Sequence, residues 1–139
     1  MSSIDDWFAA PAVSRYDAAM RWLLHGKLTT SVSEALKRHG HEVCVPTGLT
    51  PESDSETILD AAKKGQLDLL TDDQAMAQAP FELDFWFNRS MVFLQLEGGE
   101  VEQAAAIDRL FDRYKRLTPG RLYTVTGTRV KVRQLPTKI

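Results

Sequence analysis

The sequence predicts an α/β domain in which a mostly parallel sheet carries helices on both faces and a C-terminal β-hairpin closes the fold. Short apolar segments alternate along the chain with segments whose apolar residues recur every three or four positions. This alternation is typical of strands joined by helices, with right-handed crossovers. The last two apolar segments are separated only by a short Thr-Gly-Thr turn, which indicates a hairpin.

The predicted strands are apolar runs that end at glycine, proline or polar residues. They cover residues 20–24, 42–45, 67–71 and 91–96, and the hairpin uses residues 122–125 and 130–135. In the final strand, Val130 and Val132 alternate with Arg129, Lys131 and Arg133. Because successive side chains of a strand point to opposite faces, the charges should share one face and the valines the other.

The predicted helices begin at segments with the spacing of a capping box. These segments are residues 31–34 (SVSE), 53–56 (SDSE) and 71–74 (TDDQ). Gly40 and Gly65 are placed to end the first two helices, and Pro80 limits the third. Residues 99–117 form the longest predicted helix, with apolar residues from Val101 to Leu117 at intervals of three and four.

Size and composition favour a single domain of 139 residues, with 43% apolar and 26% charged residues. We expect residues 1–19 to form an N-terminal extension and residues 20–139 the domain. No apolar run approaches the roughly 20 residues of a membrane span, and the first residues do not resemble a secretory signal. Cys44 is the only cysteine, which is typical of a reducing compartment, so we predict a cytoplasmic protein without membrane contact.

The net charge of -2 hides an uneven distribution. Residues 50–84 hold nine acidic residues and two lysines, whereas residues 113–139 hold eight basic residues and no acidic one. Ordinary surface charge accounts for this pattern. A more specific hypothesis is a cation-binding acidic centre beside a basic flank that holds a polyanion.

Four polar side chains should meet at one edge of the predicted sheet. His25 follows the first strand, Asp54 opens the helix after the second, and Asp72 and Asp73 follow the third. The carboxyl ends of parallel strands share an edge, where such sheets bind ligands, and carboxylates suit Mg²⁺ or Mn²⁺. Each residue also has a structural interpretation, because acidic residues at helix starts act as caps and favour the helix dipole.

Several motifs, in their order and spacing, resemble those of the PIN-like nuclease superfamily, in its compact bacterial branch related to toxins of toxin–antitoxin pairs. The motifs are residues 23–28 (LLHGKL), 40–43 (GHEV), 53–58 (SDSETI), 69–73 (LLTDD), 120–125 (GRLYTV) and 129–133 (RVKVR). The resemblance covers roughly residues 20 to 136. It implies a three-layer PIN-like (Rossmann-like) domain.

The resemblance also implies a metal-dependent endoribonuclease. Asp54 and Asp73 would hold Mg²⁺ or Mn²⁺, assisted by Asp72, and His25 would lie near the metal or the scissile phosphate. Two carboxylates that the family pattern expects are absent, because position 25 is histidine and position 75 is alanine.

The resemblance and the charge pattern together suggest partners. The basic residues Arg129, Lys131 and Arg133 are candidates for RNA contact, with a solvated hairpin face as the alternative. An antitoxin or a second copy of the chain would bind through the aromatic residues of the N-terminal extension.

Two other functions fit the same pattern. The first is a non-catalytic domain of this fold that binds a protein, itself or RNA, which the residues at positions 25 and 75 favour. The second is a receiver-like signalling domain, which would need an acidic pair after the first strand. His25 and Gly26 at that place argue against it.

Overall fold

The computed structural model describes residues 20–50 and 52–137, and within them a six-stranded mixed sheet is combined with four helices. The strands are β1 (Arg21–His25), β2 (Glu42–Val43), β3 (Asp68–Thr71), β4 (Met91–Leu94), β5 (Arg121–Val125) and β6 (Val130–Gln134). The helices are α1 (Thr30–Arg38), α2 (Ser55–Gly65), α3 (Gln74–Glu82) and α4 (Glu100–Arg113). The predicted N-terminal extension and its expected contacts lie outside the described residues.

The strand order is β2-β1-β3-β4-β5-β6, and every neighbouring pair is parallel except β5 and β6. The predicted α/β class, parallel sheet and C-terminal hairpin are confirmed. The hairpin is continuous with the sheet, because β5 pairs in parallel with β4 from Met91↔Leu122 to Leu94↔Val125. The chain leaves β1 for β2 on one side and then returns to β3 on the other, so the order of the strands reverses between β1 and β3.

Two apolar cores lie on opposite faces of the sheet, which makes the domain three-layered. One core joins α1 and α4 to strand residues such as Trp22, Leu70 and Val92. The other joins α2 and α3 to their strand neighbours, including Leu23 and Leu69. Adjacent residues of a strand therefore belong to different cores, and each fully buried Leu or Val contributes about 1.5–3 kcal/mol.

The helix starts differ from the sequence prediction at α1, α2 and α3; at α3 the cap is Asp73 and not Thr71, the first residue of the predicted capping box. The residue before α1 is Thr29, whose side chain makes no capping hydrogen bond. Ser31, the first residue of the predicted capping box, lies within α1, and its hydroxyl donates to the carbonyl of Glu100 over 2.9 Å. Asp54 rather than Ser53 caps α2, because the Ser53 hydroxyl accepts the N–H of Thr50.

The longest helix ends four residues before its predicted limit, at Arg113. Tyr114 has an extended backbone, yet its ring packs edge-on against Tyr123 with centroids 5.3 Å apart. Leu117 is also buried in the core. The apolar spacing thus continues past the helix, because the following loop remains packed on the sheet.

Asp68 opens β3 as a buried carboxylate that belongs to the fold. Its oxygens accept the backbone N–H of Ser90 at 2.8 Å and face the Arg89 guanidinium at 3.3 Å. Burial raises the pKa of the Asp68 carboxyl. Asp68 lies at the end of β3 opposite Thr71, so this acidic residue of the segment 50–84 forms a structural ion pair away from the predicted site.

None of the helices in the described ranges is both long enough and apolar enough to span a membrane.

Candidate functional site

A cleft of about 510 Å³ opens at the carboxyl ends of β1 and β3, where the strand order reverses. Its lining consists of His25, Gly26, Lys27, Thr50, Asp72 and Asp73. We call it the switch-point cleft. In open α/β sheets the crevice outside such a reversal is the general place for ligands. Three of the four residues predicted at this edge, His25, Asp72 and Asp73, therefore share one cleft.

His25 is held at the cleft by its neighbour in the sheet. His25 and Thr71 are paired in register at the ends of β1 and β3, and His25 Nδ1 lies 2.8 Å from Thr71 Oγ1. The same hydroxyl accepts the N–H of Asp73 over 3.0 Å. Because Thr71 is fully buried, it fixes the imidazole and leaves Nε2 as the ring nitrogen that a ligand could meet.

Asp72 holds the loop that follows β1. Its Oδ1 accepts the N–H of Lys27 over 2.9 Å. Gly26 has a φ of +100°, and a Cβ at this position would collide with the Asp72 carboxylate. Glycine is therefore required both by the backbone conformation and by the close approach of Asp72.

Asp73 and Asp54 both act as helix caps. Asp73 Oδ1 accepts the N–H of Ala75 over 3.0 Å at the start of α3, and Asp54 Oδ1 accepts that of Thr57 over 2.8 Å at the start of α2. The hydrogen bonds from Thr57 hold the pKa of the Asp54 carboxyl below its usual value. Each of the predicted metal-binding aspartates thus has one oxygen engaged by the backbone.

The residues at this edge do not fit a metal ion held by three protein ligands. Across the described ranges, no three His, Cys, Asp or Glu side chains are placed to hold a metal ion. Asp54 is not among the described residues that line the switch-point cleft. Mg²⁺ is usually held by one or two protein carboxylates together with waters, and the lining of the cleft contains two carboxylates, Asp72 and Asp73. The catalytic roles assigned to His25, Asp54 and Asp73 stay predictions.

Gln103 of α4 supports the cleft and was not singled out from the sequence. Its Oε1 accepts the N–H of Thr29 over 2.8 Å, and its Nε2 donates to the Lys27 carbonyl over 3.3 Å. The loop after β1 is thus held by Asp72 on one side and Gln103 on the other. A polar residue at the spacing of the buried helix face, four before Ile107 and seven before Leu110, was the available signal.

Lys27 and Thr50 also line the cleft without having been predicted there. Thr50 connects the cleft to an apolar recess of about 300 Å³ that shares His25 and Gly26 with it. The recess is otherwise lined by Leu23, Leu24, Val45, Leu49 and Ile58. The edge therefore offers a polar and an apolar surface side by side.

The residues predicted to contact RNA lie in and just before β6. This edge strand of the described sheet is separated from β3 by β4 and β5, so it lies away from the switch-point cleft. We call Arg129, Lys131 and Arg133 the basic strip. Lys131 pairs with Thr124 and Arg133 with Leu122, so both lie on the face of the second core, while Val130 and Val132 take the opposite face. All three basic residues are exposed, and among the described residues none forms a salt bridge with a carboxylate.

Comparison of the chain with protein-family models, with curated proteins and with solved structures gave no match.

Proposed function

We propose that the chain is a PIN-like domain that binds RNA and no longer carries the metal-dependent nuclease centre. The observation that supports the loss is the engagement of Asp54 and Asp73 as helix caps, with no three-ligand group at the cleft in the part of the chain the structure describes. The histidine and alanine at positions 25 and 75 agree with it. The motif order is what supports the PIN-like assignment.

The basic strip supports RNA as the ligand. Its side chains are exposed, with Lys131 and Arg133 on β6 and Arg129 just before it, and residues 113–139 contain no acidic residue that would repel a phosphate backbone. Side chains two residues apart on one strand face lie about 6.5–7 Å from each other. A row of this kind follows an extended polyanion, and its binding should weaken as salt is added.

A binding titration tests the proposal. A fluorescein-labelled 12-nucleotide uridine RNA should bind the wild type, and Lys131→Gln should weaken it about fivefold while lowering the salt slope by about 0.7. Lys37→Gln, on α1, is the matched control and should leave the affinity unchanged. No binding by the wild type, or an equal loss in the Lys37 variant, would contradict the proposal.

A metal-dependent ribonuclease is the second candidate, because His25, Asp72 and Asp73 line one cleft at the switch point. Mn²⁺ and Mg²⁺ titration with RNA cleavage scored alongside decides between the two. Asp73→Asn keeps a good helix cap, so it removes a charge without removing the helix start. Cleavage that requires Mn²⁺ or Mg²⁺ and disappears in this variant would establish the ribonuclease. Cleavage that survives in it would arise elsewhere.

A further inference from the structure

Arg133 makes the closest cation–ring contact in the described part of the chain. Its Cζ lies 3.8 Å from the centre of the Phe81 ring. The others are longer: 4.5 Å from Lys63 Nζ to Trp86, 5.4 Å from the same atom to Phe85, and 5.9 Å from Arg113 Cζ to Tyr114. The guanidinium of Arg133 therefore rests directly on an aromatic face.

We infer that Arg133, supported by Phe81, is a stacking platform for an unpaired base of single-stranded RNA. The inference rests on the proposed RNA binding and names the class of RNA. A guanidinium is planar and stacks on aromatic rings. The guanidinium carbon of Arg133 lies over the Phe81 ring and the residue is exposed, so a flat partner would stack on the side of the guanidinium that is turned away from the ring.

The neighbouring charges orient the strand. Lys131 lies on the same strand face, two residues from Arg133, and is placed to meet the adjacent phosphate. Glu82 and Asp84, both exposed, follow Phe81 at the end of α3 and would repel phosphates there. The RNA backbone thus follows the basic strip while one base turns inward over Arg133.

This arrangement selects single strands. In a duplex the bases are already stacked on each other, so none presents a face to the guanidinium without being extruded. Stacking also tolerates different bases, since every base has a π-face. Purines, which have the larger rings, should bind more tightly than pyrimidines.

The alternative ligand is an acidic extended peptide beside β6, the outermost strand of the described sheet. The same positive charges would attract it. Its affinity would depend on charge and on the strand backbone, and it would not depend on a planar group at position 133. The observed contact of Arg133 with Phe81 favours RNA. An acidic peptide would be attracted by charge alone, and charge attraction needs no aromatic ring behind the guanidinium.

Two variants of the full chain separate stacking from charge. Arg133→Lys keeps the charge and removes the planar group, and Phe81→Leu keeps an apolar side chain and removes the ring. Each should weaken binding of a 12-nucleotide adenine RNA about five- to tenfold and leave binding of a 12-base-pair RNA duplex unchanged. Arg113→Lys, at the cation–ring pair with Tyr114, is the control and should change neither.

The outcomes distinguish the stacking platform from the proposed RNA binding. Losses in Arg133→Lys no larger than in Arg113→Lys would overturn the stacking platform, even if RNA binding itself persists. Equal losses for single strand and duplex would do the same. Absence of any RNA binding by the wild type would instead overturn the proposed function, and a glutamate 12-mer that binds with an affinity unaffected by Arg133→Lys would identify a peptide partner. Arg133 is exposed, so its lysine variant should fold, which thermal melting checks.

Discussion

The switch-point cleft and the basic strip both concentrate charge, but they use it differently. At the cleft, Asp72 and Asp73 each accept a hydrogen bond from a backbone N–H with one carboxylate oxygen. On the strip, Lys131 lies exposed beside Arg133, whose contact is an aromatic ring. Charged groups that make hydrogen bonds to loops and helix ends stabilise the fold. Exposed charged groups without such hydrogen bonds or ion pairs can bind a ligand. Substitutions in the two regions should therefore separate stability from binding.

Gly26→Ala should have the largest effect on stability. The new Cβ would be placed at a φ of +100° and would collide with the Asp72 carboxylate. We expect a loss of about 3 kcal/mol in the free energy of unfolding. Urea denaturation measures it. In the double variant with Asp72→Ala the collision disappears, so the combined loss should be smaller than the sum; simple additivity would show that the close approach is not what excludes alanine.

Acidification provides the second test, at a histidine that belongs to neither region. His41 is buried, accepts the N–H of Met20 at Nδ1 and stacks on Phe111. Burial, assisted by the nearby His39, lowers its pKa from 6.5 to about 4. Between these values the unfolded chain binds the proton and the folded chain does not, so stability should fall as pH decreases from 6.5 towards 4.

The slope from this one group should reach up to about 1.4 kcal/mol per pH unit. Urea denaturation at a series of pH values measures it. The slope should flatten in His41→Gln, whose amide can still accept the N–H of Met20 without titrating. An unchanged slope in that variant would assign the acid sensitivity to other groups.

The two capping aspartates should show smaller effects. Asp54→Ala and Asp73→Ala should each cost about 1 kcal/mol, and the corresponding Asn variants only a few tenths, because asparagine caps helices as well as aspartate does. Thermal unfolding resolves this difference. Equal losses for Ala and Asn would mean that the negative charge matters more than the hydrogen bonds to Thr57 and Ala75.

Substitution on the basic strip should have the smallest effect on stability. Lys131→Gln removes an exposed charge with no carboxylate partner among the described residues and should change the free energy of unfolding by less than about 0.5 kcal/mol. Its RNA affinity should nevertheless fall. A loss of several kcal/mol measured by urea denaturation would place Lys131 with the structural charges of the cleft.

The order of strands and helices could be predicted from the sequence because it depends on local periodicity. Cap positions were less accessible, since Ser53 and Asp54 are equally good caps and the turn at Thr50 decides between them. Val101 was predicted in the apolar face of the longest helix but is 76% exposed. The inward position is instead taken by Gln103, whose role depends on the hydrogen bond that it accepts from the N–H of Thr29, 74 residues away in sequence.

The candidate site was predicted in its location but not in its bonding. Alternation of strands and helices was enough to place His25, Asp72 and Asp73 at one edge. Which oxygen each carboxylate would use depended on the exact turn after β1 and on the register of β1 against β3. Such contacts join distant segments and leave no local pattern.

The edge strand β6 also affects whether copies of the chain associate in concentrated solution. A strand that ends a sheet offers backbone groups to any similar strand, which is a common start of aggregation. In β6, antiparallel pairing of two copies centred on Val132 would set Lys131 against Arg133 of the other copy, and like charges in this position repel. Molar salt shortens the Debye length to about 3 Å and removes that protection, so the solubility of the chain should decrease as ionic strength rises.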